Sequence, residues 1–161
     1  MTPESMRGNV ENGMTCFIRD IAKKLTPNEA HIVIMAAKYN FYPKEVLMTL
    51  AVAHNGVVDE NHKKMTCRTH VLTTDGENET MGFYIIFENE DAIQLKFYFL
   101  KPEYRHKGTF SRWIKKEQGG SRKISACVSN NHMVKALSKA EFKFKRVCDD
   151  KKTVLFVWNE K

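Results

Sequence analysis

Long apolar runs are missing from this 161-residue chain. No stretch approaches the ~20 consecutive apolar residues of a membrane helix, which excludes a helical span within these residues. Closely spaced cysteines are missing too. Cys16, Cys67, Cys127 and Cys148 are widely separated, with no C-x-x-C pair, and the opening MTPESMRGNVENG lacks the apolar centre of a signal peptide. Free thiols in a reducing, cytoplasmic compartment are the expectation. No G-x-S-x-G elbow occurs, so a hydrolase triad has no support. His62, Cys67 and His70 fall close together but match no zinc spacing and lack a fourth ligand, so no metal is expected. There is no internal repeat and no linker that would divide two domains.

What is present suits one globular domain. The chain is 42% hydrophobic and 28% charged, enough to bury an ordinary core without disulfides or metals. Residues 1–13 read as a polar, flexible tail and residues 14–161 as a single domain. The net charge is +7 and the pI about 9.2, with basic residues denser from Lys96 through Arg146. That balance favours acidic partners, either nucleic acid, an acidic protein surface or a polyanionic cofactor.

Periodicity gives the order β-α-α-β-β-β-α-β-α-β-β. Thr15 to Ile21 reads as a short strand. Thr26-Pro27-Asn28-Glu29 is a capping box opening a helix to about Tyr39, and Pro43 opens a second helix to about His54, closed by Asn55-Gly56. Met65–Thr73, Met81–Phe87 and Ile93–Leu100 read as a meander of three strands. A helix from Thr109 to Gln118, a strand Lys123–Val128, a helix Asn131–Lys139 capped by Asn130, and strands Phe142–Cys148 and Thr153–Trp158 complete the chain. The strand–helix–strand step from Ile93 to Val128 demands a parallel crossover.

Its first connection carries the most information. Leu100-Lys101-Pro102-Glu103-Tyr104-Arg105-His106-Lys107-Gly108-Thr109-Phe110 joins an apolar strand to a helix start through a basic turn with one glycine. Free N–H groups and the dipole of a helix's first turn attract a phosphate, Arg105 and Lys107 add charge, and Gly108 allows close backbone approach. The carboxyl end of a parallel strand is where open α/β sheets bind ligands. The plainer reading is an ordinary solvated strand-to-helix turn. Likewise, Phe97-Tyr98-Phe99 beside Lys96, Lys101 and Arg105 reads either as a nucleic-acid stacking surface or as an interior strand with core on both faces.

This order of elements resembles the GNAT N-acetyltransferase superfamily from about Thr15 to Trp158. Leu100-x-Pro102-Glu103-Tyr104-Arg105-x-Lys107-Gly108 is similar to the family's strand-end "V-x-P-x-[YF]-R-x-x-G-x-[GA]", and Asn130 through Phe142 to its "N-x-x-[A]-x-x-x-[YL]-x-x-x-G-F". The resemblance implies an α/β (α+β) fold with a mixed, mostly antiparallel sheet of six to seven strands and four flanking helices. It implies acetyl-CoA as co-substrate, bound in a V-shaped opening between the fourth and fifth strands. The amides of Arg105, His106, Lys107, Gly108, Thr109 and Phe110 would hold the pyrophosphate, the Leu100 amide would polarise the thioester carbonyl, and Asn130 would lie near the pantetheine arm. An amine of a protein or small molecule would be the acceptor.

Four positions depart from the pattern: Phe110 stands for glycine or alanine, Leu137 for a tyrosine, Glu141 for the glycine before Phe142, and Gln94 near where some members carry a glutamate base. Tyr98 and Glu103 are the remaining catalytic candidates. The departures also motivate an alternative from another class: a catalytically degenerate basic binding module on the same fold, of viral or mobile-element type, with nucleic acid or protein as partner.

Overall fold

The computed structural model describes residues 23–76 and 78–160. The expected tail and the strand Thr15–Ile21 lie outside the described residues.

Helix α1 (Pro27–Lys38) starts where the sequence places it. The Thr26 hydroxyl accepts the Glu29 N–H at 3.2 Å, and the Glu29 carboxylate accepts the Thr26 N–H at 3.0 Å. Helix α2 (Pro43–Asn55) ends at Gly56, whose φ of +93° only glycine adopts without strain. The stripes Ile32, Met35, Ala36, Val46 and Leu50 pack on Phe83, Ile85 and Phe99 of the sheet.

Among the described residues seven strands form that sheet: β1 (Val57–Val58), β2 (Lys64–Thr73), β3 (Thr80–Glu88), β4 (Ala92–Leu100), β5 (Lys123–Val128), β6 (Lys143–Val147) and β7 (Val154–Trp158). Their order is β1-β2-β3-β4-β5-β7-β6. Every neighbouring pair is antiparallel except β4 and β5. The two-residue β1 is not anticipated from sequence, because two valines are too short to display a period. Helices α3 (Thr109–Gln118) and α4 (Asn131–Lys139) cover the opposite face, burying Ile114 and Leu137 against Tyr84, Ile86, Ile93, Leu95 and Ile124. The result is a mixed α/β fold with helices on both faces.

One irregularity shapes the centre. Ile85 pairs with Phe97 but Ile86 pairs with Leu95, so Lys96 is an extra residue in β4. Such a bulge bends its strand and reverses side-chain parity. Ile93 and Leu95 therefore face the α3/α4 core, whereas beyond the bulge Phe99 enters the α1/α2 core with Phe97 packed beside it, and Tyr98 turns to α3. The aromatic run is thus divided between two cores rather than presented as a stacking surface.

The far end of α3 is tied to the sheet by ionic bonds. Arg68 on β2 reaches Glu88 at 2.7 Å and Glu117 at 2.8 Å, and Arg122 reaches Glu88 at 2.9 Å. Burial opposes ionisation of Glu88, but the hydrogen bonds and charges of the two arginines outweigh it and hold its carboxyl below the usual 4.5. A carboxyl whose folded pKa is depressed contributes stability that is complete above the unfolded value and lost as pH falls through the folded one. Arg68→Met should therefore cost about 2 kcal/mol at neutral pH, between the values for surface and buried pairs. It should also flatten the decline in stability below pH 4.5, read by urea unfolding at stepped pH. An undiminished acid decline in the variant would show that Glu88 is not its source.

Candidate functional site

The parallel contact of β4 and β5 is short. Their register runs from Ala92–Lys123 to Leu95–Ala126 and stops, although β4 continues to Leu100 and β5 to Val128. The bulge at Lys96 sits where the pairing ends, and the strands splay beyond it. Lys101 donates its N–H to the Met81 carbonyl at 2.8 Å, toward β3. Antiparallel alternation then directs the N–H groups of Leu100 and Tyr98 to the other edge, toward the splay. The Tyr98 amide carries no sequence signal, because only the register reveals which edge an amide faces.

The splayed edge leads into the basic turn. Pro102–Tyr104 forms a single 3-10 turn in which the Arg105 N–H is taken by the Pro102 carbonyl at 3.2 Å. Beyond it, His106 (φ +63°) and Gly108 (φ +77°) adopt left-handed backbone, and α3 begins with no side-chain cap. Among the described residues no acceptor engages the N–H groups of His106, Lys107 or Gly108, and those of Thr109 to Ser111 are the unpaired donors of a first helical turn. Six consecutive amides are thus available. The Arg105 Nε donates to the Leu100 carbonyl at 2.8 Å and its guanidinium lies over the Phe99 ring, while Arg112 donates to the Lys107 carbonyl at 3.0 Å. Both arginines brace the turn from behind. Arg112 carries no sequence signal either, since one helical turn has to form before it can reach back.

Phe110, expected to crowd this turn, is 9% exposed and turned inward. Its ring meets Tyr98 edge-on at 4.8 Å in a cluster with Trp113. The Tyr98 hydroxyl and the Trp113 indole N–H are buried there with no partner among the described residues, and burial pushes the Tyr98 phenol above its ordinary range. Glu103 is exposed on the 3-10 turn and lines a separate 480 Å³ cavity against α1. The structure therefore does not bring Tyr98 and Glu103 together. Asn130 caps α4, its Oδ1 accepting the His132 N–H at 2.7 Å, which leaves its Nδ2 uncommitted. The His132 ring meets that of His106 at 5.3 Å, so the N-termini of α3 and α4 approach one another. Leu137 is fully buried, and Glu141 has a φ of +70°, which accounts for a glycine preference at that position.

On the opposite face a 380 Å³ cavity is lined by Gln94, Lys96, Ser125 and Cys127, with Asp59 and Glu60 from the β1–β2 loop. Protein packed around the Lys96 ammonium lowers its pKa, although the residue stays accessible to solvent. Cys67 and His70 point to opposite faces of β2, one beside the α1/α2 core and the other against Tyr84. Among the described residues there is no metal-binding cluster of His, Cys, Asp and Glu, and no helix is long and apolar enough to cross a membrane.

No protein-family model and no curated protein matches this chain. Solved structures match its fold. The Campylobacter jejuni N-acetyltransferase PseH is 16% identical, covered over 85% of this chain and 93% of its own, at a TM-score of 0.53; it is also solved in complex with acetyl coenzyme A. Arabidopsis thaliana NAA60, in complex with a bisubstrate analogue, is 14% identical over 83% of this chain and 94% of its own, at 0.54. An acetyltransferase from Thermus thermophilus is 18% identical over 72% and 73%, at 0.50. What is shared at these identities is the architecture: the chain has the fold of the GNAT N-acetyltransferases.

Proposed function

We propose that this chain is an acetyl-CoA-dependent N-acetyltransferase acting on an amine of a protein or small molecule. The observation that carries the reading is the unpaired β4 edge beyond Leu95, continuous with six free amides at the start of α3. The residues fit the co-substrate. Amides from His106 to Ser111 and the positive end of α3 suit a diphosphate. A Cβ at Gly108 would approach the Arg112 guanidinium that braces the Lys107 carbonyl to 3.1 Å, and the φ of +77° favours glycine there. The Leu100 and Tyr98 amides are placed for an extended, amide-containing arm lying in the splay, with Asn130 Nδ2 as a further donor.

Acetyl-CoA supplies an activated acyl group with a thiol of pKa about 8.5 as leaving group. The Leu100 N–H is assigned to the thioester carbonyl oxygen, where a fixed donor favours developing negative charge. The amine loses its proton through water. Tyr98 keeps its own proton at neutral pH, Gln94 cannot accept one, and Glu103 faces another cavity. Proton transfer without a dedicated side-chain base makes a rate that climbs with pH until the amine is deprotonated the expected profile.

The degenerate binding-module reading draws on the same absence of a base and on β6, a wholly exposed edge strand bearing Lys143, Lys145 and Arg146. Thermal unfolding separates the two. Acetyl-CoA at about a hundredfold over its Kd should stabilise the protein by ~2.7 kcal/mol, a shift of several degrees, with no shift from adenine alone. No shift at millimolar acetyl-CoA, together with salt-dependent DNA binding, selects the module.

A further inference from the structure

Cys127 is on β5 and Cys148 directly follows β6, and both strands pair with β7 from opposite edges. Cys127 lies opposite Leu155, while the Cys148 N–H donates to the Thr153 carbonyl at 2.9 Å, so the two cysteines stand diagonally across β7. The residue between those contacts, Val154, turns its side chain into the α3/α4 core on the other face. With Val154 turned away and Leu155 beside Cys127 on the shared face, the sulfurs approach to 2.9 Å, inside ordinary van der Waals contact. Cys127 is exposed, lining the cavity, and Cys148 is half-buried.

We propose that Cys127 and Cys148 are a reversible dithiol–disulfide pair that clamps the β6–β7 hairpin to β5, with a low-molecular-weight disulfide such as oxidised glutathione as oxidant. One cysteine thiolate attacks the glutathione S–S bond and expels a glutathione thiolate. The second cysteine, giving its proton to water, attacks the mixed disulfide and expels the other. Two S–H bonds are lost and one S–S bond forms; the oxidant takes both electrons and ends as two thiols. Burial and the adjacent Cys148 sulfur push the Cys127 thiol up to about 11 against the pull of Lys96 and Arg146, so the bond forms faster as pH rises. β6 is exposed along its length and, among the described residues, joins the sheet through β7, so a bond to β5 ties the end of β6 to a second strand.

The test equilibrates the full chain with stepped mixtures of oxidised and reduced glutathione, quenches in acid, alkylates the free thiols and maps the peptides by mass spectrometry. The expected product is an intramolecular Cys127–Cys148 link, reversed by dithiothreitol, with a melting midpoint ~5–10 °C above the reduced protein. Cys127→Ser and Cys148→Ser should each abolish the link and the shift while melting near the reduced wild type. Full alkylation of both thiols at every potential overturns the proposal. So does a stable glutathione adduct, a bond to Cys16, Cys67 or another copy, or a shift that persists in either serine variant.

Discussion

Gly82→Ala is expected to leave little or no folded protein. Gly82 sits on β3 opposite Leu100, in the ladder that carries the splayed edge. A Cβ there would lie 1.9 Å from the Phe99 carbonyl oxygen, 2.8 Å from its carbon and 3.0 Å from the Leu100 Cα. All three are backbone atoms of the central strand, so no side-chain rotation relieves the clash and β4 must move away from β3. That movement disturbs both cores at once, since Phe99 belongs to one and Tyr98 packs on the other. A loss on the order of 4 kcal/mol or more follows, a large share of the roughly 5–15 kcal/mol an ordinary domain possesses. Gly120→Ala, whose Cβ meets only the Glu117 carbonyl at 3.6 Å and the tip of the Arg122 side chain, should change stability by less than about 0.5 kcal/mol. Circular dichroism during thermal unfolding reads both. A Gly82→Ala protein melting within a degree or two of wild type would mean that β3 and β4 are not in this register.

Gly108→Asp is expected to separate folding from cofactor response. Position 108 precedes α3 with φ +77°, and aspartate tolerates left-handed backbone better than most residues. The strain costs about 1–2 kcal/mol, which leaves the protein folded. The side chain is directed at the Arg112 guanidinium, 3.1 Å from the Cβ position, so it disturbs the Arg112 brace on the Lys107 carbonyl and sets a like charge within the turn assigned to the diphosphate. Affinity for acetyl-CoA should fall at least ~100-fold, removing about 2.7 kcal/mol of binding free energy. The readouts are the melting shift with acetyl-CoA and the initial rate of CoA release with a responsive amine. An unchanged acetyl-CoA shift in a folded Gly108→Asp protein would remove the turn from the binding site and the enzyme reading with it.

The readability of these features from sequence differs by the range of the interaction that sets them. The Thr26 capping box, the Asn130 cap and the stop at Gly56 involve partners within a few residues, so their patterns translate directly into structure. The meander and the single parallel step follow from alternation and from the connection lengths between strands. Phe110 shows the opposite case. Its position in the motif suggests a crowded turn, yet the ring packs inward, because Tyr98 and Trp113, brought there by the fold, offer it an apolar socket. The bulge at Lys96 is equally silent in sequence: Ile93-Gln94-Leu95-Lys96-Phe97 alternates as any strand would, and only the pairing with β3 reveals the extra residue.

Composition, local capping and hydrophobic period were enough by themselves to determine the four helices, strands β2 to β7, their order and the basic, amide-rich turn after β4, because each depends on residues adjacent in the chain. Tertiary structure alone decided that β4 and β5 part after Leu95, which edge the Leu100 amide faces, and that two cysteines twenty-one positions apart meet across β7. Those outcomes depend on strand register, which is fixed by the joint packing of two cores on one bent sheet.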